Sequence, residues 1–398
     1  MDAGRVAVVG GGVLGVTVAH LLATERMAQV TVFEKEPTPA AHQSGRNSNV
    51  VHAGLYYAPG SEKAILCRRG RTLLEQYCAR RGLPYVVCGK VVVALDEHEA
   101  ARLEAIHERA HANGVTDARL IGRGELARLE PHVRGVRALH SPSTAITDYG
   151  MVTRALADDA TEHGAQIRTG HPVTGLSPEP QGVTLTAAGR SESFDHVIVC
   201  SGLYSDRVAQ HAGLPPEPRI IPFRGEYWSV RPQARSLVRR LVYPVPDPRY
   251  PFLGVHLTPQ VDGSVLVGPN AVLALSREGY RWRDIRPSEL ADTVAWPGFS
   301  RFARVHWRTG LAEMYRSASK SAFTRAARRY VPELRRSDLV RARSGVRAQS
   351  MNSDGSLVDD FVIQRAGRVV AVRNAPSPAA TSAFAIAERI VETLDARR

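Results

Sequence analysis

Residues 42–61 read HQSGRNSNVVHAGLYYAPGS and crowd small, hydrogen-bonding side chains around two histidines. A polar segment punctuated by glycines can run beside the ribityl and pyrophosphate of a long cofactor. It can then deliver His52, which titrates near neutral pH, to that cofactor's reactive ring as a proton acceptor. His256 is the second candidate for such a base. It interrupts an apolar run, where a polar side chain needs a reason.

The elements that must hold these groups begin at the N-terminus. Arg5-Val6-Ala7-Val8-Val9 has the continuous apolar character of a buried parallel strand. It leads into Gly10-Gly11-Gly12-Val13-Leu14-Gly15, a predicted helix over 13–24 and a second strand over 29–33 that ends at Glu34. In this reading Gly10 permits the tight turn, Gly12 admits a pyrophosphate to the backbone at Val13 and Leu14, and Gly15 packs helix on strand. The Glu34 carboxylate would accept hydrogen bonds from a ribose diol. This unit alone suits NAD or FAD; followed by 42–61, it points to FAD.

Composition narrows the classes. A chain of 398 residues has room for two cores, and 43% hydrophobic with 23% charged residues is ordinary for a globular protein. No apolar run is long enough to span a bilayer, and the N-terminal strand lacks a cleavage pattern, so a cytoplasmic protein is expected. Cys67, Cys78, Cys88 and Cys200 have no metal-ligand spacing; structural thiols and no metal are expected. The net charge of +13 comes from arginines scattered among acids, with lysine only at 35, 63, 90 and 320. That distribution argues against a nucleic-acid partner, while still attracting an acidic substrate. Residues 282–307 mix Trp282, Trp296, Phe299, Phe302 and Trp307 with arginines, a composition able to lie on an anionic membrane surface.

Further helices are predicted over 62–80, 97–113, 149–163 and 382–395. Strands are predicted over 88–95, 165–168, 183–186, 194–200, 225–230, 251–257, 264–268, 361–364 and 369–373. The alternation suggests interleaved domains. We expect a doubly wound, Rossmann-like FAD domain over 1–85, 146–215 and 337–398. An α+β substrate domain on a mostly antiparallel sheet would occupy 86–145 and 216–336.

Several blocks are more particular: HQSGRNS at 42–48, VHAG at 51–54, PFRGEY at 222–227, PFLGVHLT at 251–258, VGPNAVLA at 267–274, GVRAQ at 345–349 and NAPSPAATS at 374–382. With these the chain resembles the L-2-hydroxyglutarate oxidase/dehydrogenase family of D-amino-acid-oxidase-like flavoproteins over nearly its whole length. The resemblance implies FAD in a GR2-type domain, held also by Lys35, Ser44, Asn47, Ser48, Asn49, Val173, Ser201 and Gly202. Residues Pro376, Ser377, Ala379, Ala380 and Thr381 would present helix N–H groups to the flavin's electron-rich edge. Asn49 stands where the family usually has glycine, and 284–306 is less typical.

It further implies oxidation of L-2-hydroxyglutarate to 2-oxoglutarate, with O2 or a quinone-type molecule as acceptor. Arg347, in a Gly-hydrophobic-Arg element, would grip the C1 carboxylate through its planar fork. Arg224 would meet the distal carboxylate, Tyr57 would help close the site, and Lys320 is a further candidate for facing it. His52 or His256 would take the hydroxyl proton. The competing readings are a flavin oxidase of another hydroxy acid or amine, an NAD-dependent dehydrogenase, and a basic polynucleotide-binding protein.

Overall fold

A computed structural model describes residues 4–247 and 253–395. The strand Arg5–Val9 is buried on both faces and takes an interior place in a parallel sheet. It pairs in parallel with Gln29–Phe33 on one side and His196–Val199 on the other, with Val8 opposite Val32 and Ile198. The six-stranded sheet runs Val362–Ala366, Val369–Asn374, His196–Val199, Arg5–Val9, Gln29–Phe33, Gln166–Arg168, and only its first strand is antiparallel. The period-2 alternation of strands splits its core in two. Val6, Val8, Val32 and Ile198 meet Val18 and Leu22 of the helix Val13–Glu25 and Ile386 and Ile390 of Ala383–Asp395. Ala7, Val9, Val197 and Val199 meet Leu185, Phe194 and Val208 on the opposite side.

The second large sheet has eight strands, in the order Leu339–Arg341, Trp228–Val230, Val265–Gly268, His256–Pro259, Leu241–Pro244, Lys90–Ala94, Arg137–Ser141, Arg119–Gly122. All its pairings are antiparallel except Leu241–Pro244 with Lys90–Ala94. Phe323 of the helix Lys320–Arg328 packs in one core with Trp228 and Leu257; Leu103 and Ile106 of Glu97–Ala112 join Val92 and Tyr243 in another. Between the two sheets, Arg219–Gly225 pairs antiparallel with Gly345–Met351, with Phe223 opposite Arg347.

Three sequence expectations change. The single strand expected over 225–230 is two, Arg219–Gly225 and Trp228–Val230, in different sheets. Gly225 passes so near Pro269 that a Cβ would stand 2.7 Å from its ring, and the Asn270 side chain takes up the Glu226 N–H at the break. Leu339–Arg341 pairs with Trp228–Val230, so the second sheet continues beyond residue 336. Of the strand expected over 251–257, residues 251 and 252 lie outside the described residues, and the observed strand begins at His256. The thiols of Cys67, Cys78, Cys88 and Cys200 are free.

Candidate active site

A cavity of about 950 Å³ opens where the C-terminal ends of Arg5–Val9, Gln29–Phe33 and His196–Val199 face the second domain. That is the upper part of the range for small-molecule sites, about 300–1,000 Å³, and suits a long ligand. At one end Gly10, Gly12, Val13 and Leu14 line it, at the start of the helix Val13–Glu25. Gly10 has φ +111°, and a Cβ there would stand 2.5 Å from the Cys200 carbonyl oxygen, so only glycine makes this turn. Gly15 lies beneath, with its ideal Cβ position 2.0 Å from the Gly10 carbonyl oxygen, and it has the packing role expected. The Val13 N–H donates to Ser44 Oγ at 2.8 Å, which ties 42–48 to the helix start. Glu34 is buried on the wall, its carboxylate accepting from Gly11 N at 2.6 Å and Glu36 N at 2.8 Å.

Lys35, Asn47, Ser48, Val173, Ser201 and Gly202 continue the lining. Asn47 Nδ2 donates to the Ser44 carbonyl at 2.7 Å, which fixes the loop. Ser201 Oγ is buried on the wall without a hydrogen-bond partner, an orphan that a ligand group would satisfy. Farther along, Pro376, Ser377, Ala379, Ala380 and Thr381 form the wall just before the helix Ala383–Asp395. A glycine cradle, an acid held at the strand end, an orphaned hydroxyl and a helix N-terminus together fit a dinucleotide running the length of the cavity.

Asn49 departs from expectation. It does not line the cavity; its φ is +61°, and its Nδ2 donates to Gln260 Oε1 at 2.9 Å. Asparagine tolerates this left-handed conformation better than most residues, so it replaces glycine for backbone reasons rather than for cofactor contact.

The other end is built from side chains. His52, His256, Arg347, Tyr227 and Tyr243 line it. His256 Nδ1 lies 2.9 Å from the Gly254 carbonyl oxygen, which can only accept, so Nδ1 carries the hydrogen and Nε2 keeps its lone pair. Its ring stacks on Tyr243 with centroids 4.0 Å apart. His52 Nε2 is 3.3 Å from Ser377 Oγ, and its backbone N–H donates to Thr381 Oγ1 at 3.1 Å. Burial, and then the nearby Lys90 and His256, push the His52 imidazole down to about 3. Burial also brings His256 to about 3, with Lys90 and Arg347 adding to the effect against the Gly254 hydrogen bond. Both rings are therefore neutral at physiological pH. Burial lowers the Arg347 guanidinium from its ordinary value, but such a group stays charged. The arrangement offers a half-buried guanidinium to hold an anion and neutral imidazoles to accept a proton.

Three expected substrate residues do not line the cavity. Arg347 shares a sheet face with Phe223, and Arg224, the next residue along that strand, points to the opposite face. There Arg224 is 0% exposed, ion-paired with Glu226 at 3.3 Å and lying over the Trp282 ring. Lys320 opens a helix with its Nζ 5.6 Å from the Trp228 ring. Tyr57 is tied through its carbonyl to Asn113 Nδ2 at 2.9 Å. Sequence reasoning missed Tyr227 and Tyr243, whose aromatic character in apolar strands reads as packing. It also missed the cluster in which Lys35 pairs with Glu36 and Glu278 beside His42, bridging 35–42 to 278–280.

The DAO family, described as FAD dependent oxidoreductase, matches residues 5–393. The chain is 44% identical over 394 residues to the mitochondrial L-2-hydroxyglutarate dehydrogenase of Caenorhabditis elegans, covering 96% of this chain and 91% of that protein. It is 43% identical over 386 residues to the L-2-hydroxyglutarate dehydrogenase of Escherichia coli, covering 96% and 91%. The solved structure of L-alpha-glycerophosphate oxidase from Mycoplasma pneumoniae with FAD bound superposes with a TM-score of 0.82 at 25% identity, over 100% of this chain and 96% of that one.

Proposed function

This chain belongs to the DAO family of FAD-dependent oxidoreductases, and from that premise we propose that it oxidises L-2-hydroxyglutarate to 2-oxoglutarate. The observation that carries the reading is the end-to-end likeness to proteins bearing that dehydrogenase name, over a cavity with a half-buried arginine beside neutral imidazoles.

Bound FAD supplies the acceptor for the C2 hydride. The chain's own residues do the rest. Arg347 binds the C1 carboxylate and orients C2; its half-buried charge meets the anion where water screens the pair less than at the open surface. The hydroxyl proton passes to an imidazole, and the fixed tautomer of His256 makes its Nε2 the favoured acceptor. His52 lies between Ser377 and Thr381, on the wall near the last helix, and borders the reacting position. Anaerobic addition of L-2-hydroxyglutarate to the holoenzyme should bleach the flavin band at about 450 nm, and the D-enantiomer should not. Faster bleaching by a different 2-hydroxy or 2-amino acid would replace the substrate. Turnover in air, compared with turnover on a soluble quinone under argon, distinguishes O2 from a quinone-type acceptor.

Peripheral membrane contact belongs to the same reading, on a changed set of residues. Trp296, Phe299 and Phe302 pack inward against Ile221 and Phe223. On the helix Pro297–Ala318, Trp307 is 55% exposed, and Leu311, Met314 and Tyr315 are exposed with it beside Arg304 and Arg308. An apolar stripe flanked by arginines suits an anionic lipid surface. Among the described residues no helix is long and apolar enough to cross a membrane. Flotation with phosphatidylglycerol vesicles at low salt, lost in Trp307→Ser/Leu311→Ser, is the expected result; a protein that stays in the soluble fraction throughout removes this part.

A further inference from the structure

Lysine occurs at four positions in this chain, and one of them, Lys90, opens the apolar strand Lys90–Ala94 in the middle of the eight-stranded sheet. It is 2% exposed. An ammonium in that position is costly unless something compensates it. What surrounds it is aromatic: Nζ lies 3.7 Å from the centre of the Tyr243 ring and 4.9 Å from that of Tyr56. The sheet dictates this meeting. Lys90 stands opposite Leu241 in the parallel pair, and Tyr243, two residues on, shares that face. On the other side, Val242 stands opposite Leu257 in the antiparallel pair, which sets Tyr243 across from His256.

The His256 ring centre is 4.0 Å from that of Tyr243, with the planes 29° apart. A group within about 4 Å of a ring centre sits over a face, because the ring's own radius plus van der Waals contact keeps in-plane neighbours farther out. Two such groups cannot share one face, so the amine and the imidazole lie on opposite sides of Tyr243. Tyr243 and His256 line the cavity, whereas Lys90 stands behind them.

We propose that Lys90 is a positioning residue of the reacting end: with His256 it clamps the two faces of Tyr243, and so a lysine outside the cavity fixes the imidazole that takes the hydroxyl proton. The proposal rests on the reading of the site as one for alcohol oxidation. The stack explains why an amine, rather than methionine or leucine, occupies an otherwise apolar strand position: a cation over a tyrosine face is attracted by the ring quadrupole. It also has an electrostatic consequence. Burial draws Lys90 down to about 7, with the Cys67 thiol on the helix Glu62–Arg81 opposing. As pH falls, Lys90 therefore takes a proton before either histidine. Its charge then resists protonation of His256 and of His52, as Arg347 also does at His256. Lowering the pH thus charges a lysine behind the site instead of the base within it.

Two measurements decide the proposal. In the holoenzyme, Lys90→Met with native flavin content should lower kcat about tenfold, the scale of a small misplacement of a reacting group, with KM within about twofold. The acid limb of its kcat/KM profile should move up by about one pH unit, because the histidines lose a repelling neighbour. Lys90→Arg should bring the limb back. Native kcat and an unmoved limb in Lys90→Met would reduce Lys90 to a filler of space. The second measurement needs no variant. With ¹³Cε-labelled lysine in the native holoenzyme, one of four signals should titrate near pH 7 and be shifted upfield by the tyrosine rings. Four lysine signals with no upfield ring shift overturn the proposal even if both variants fail to fold. A holoenzyme inert toward L-2-hydroxyglutarate would refute the functional reading, while the lysine signals would still decide the stack.

Discussion

The two ends of the cavity are made in different ways. The dinucleotide end is assembled from short contiguous stretches, 10–15 and 34–48, and its contacts are mostly backbone groups, glycine clearances and small hydroxyls. The reacting end gathers Tyr243 from Leu241–Pro244, His256 from His256–Pro259 and Arg347 with its neighbours from Gly345–Met351, far apart in the chain and joined through sheet register. A backbone-made site spreads its binding over many weak donors, so single side chains there matter less than the shape of the turn. A side-chain-made site concentrates its chemistry, so each group is individually exposed to mutation.

That contrast is open to direct attack. The largest effect should come from Arg347→Met: kcat/KM for L-2-hydroxyglutarate falls on the order of 10³-fold while flavin content stays native, because the cation proposed to grip the carboxylate is lost. Flavin loss instead of turnover loss would blur the division between the ends. Next, His256→Gln should lower kcat on the order of 10²-fold, in the range for a general base, and His52→Gln by about tenfold. The reverse order would make His52 the base. Because both imidazoles sit near 3, the native kcat/KM should hold level as pH falls from 7 to 5, where an ordinary histidine of 6.5 would already have protonated. A limb near 6.5 would contradict that environment.

At the dinucleotide end the expected changes are in cofactor retention. Gly10→Ala meets both a φ of +111° and the Cys200 carbonyl, and should yield protein largely free of flavin by absorbance. Gly12→Ala meets Ser44 Oγ at 3.2 Å, a neighbour able to give, and should lose less. The smallest effect on turnover should come from Arg224→Met. With its guanidinium facing away from Arg347, KM should be unchanged, while thermal stability falls because Glu226 is left buried with one partner fewer. A raised KM would bring Arg224 back to the substrate.

The residues themselves show why one end was easier to read. Gly10, Gly12, Gly15 and Glu34 act through local geometry that spacing encodes, and the predicted strands over 5–9 and 29–33 and the helix from Val13 formed as read. Asn49 was visible as a departure, but its reason, a positive φ, is a property of the folded backbone. Arg347 stood out by its Gly-hydrophobic-Arg element and Arg224 was the weaker candidate; register puts the first at the cavity and the second in the core. Lys90 carried a faint signal, a rare lysine at the head of a valine run, and nothing local indicated the tyrosines it would meet.

The amino-acid sequence by itself determined the class of fold, the dinucleotide turn and the supply of histidines and arginine that the proposed oxidation of a hydroxy acid calls for. These follow from periodicity, glycine spacing and side-chain chemistry, which act within a few residues. The tertiary structure alone decided which arginine faces the cavity, which tautomer His256 holds, and that a lysine lies behind Tyr243. The first and last of these depend on strand register and burial, which bring residues more than a hundred positions apart within a few ångströms, where dielectric and packing set their chemistry. The tautomer depends on how the folded backbone turns the Gly254 carbonyl onto the ring.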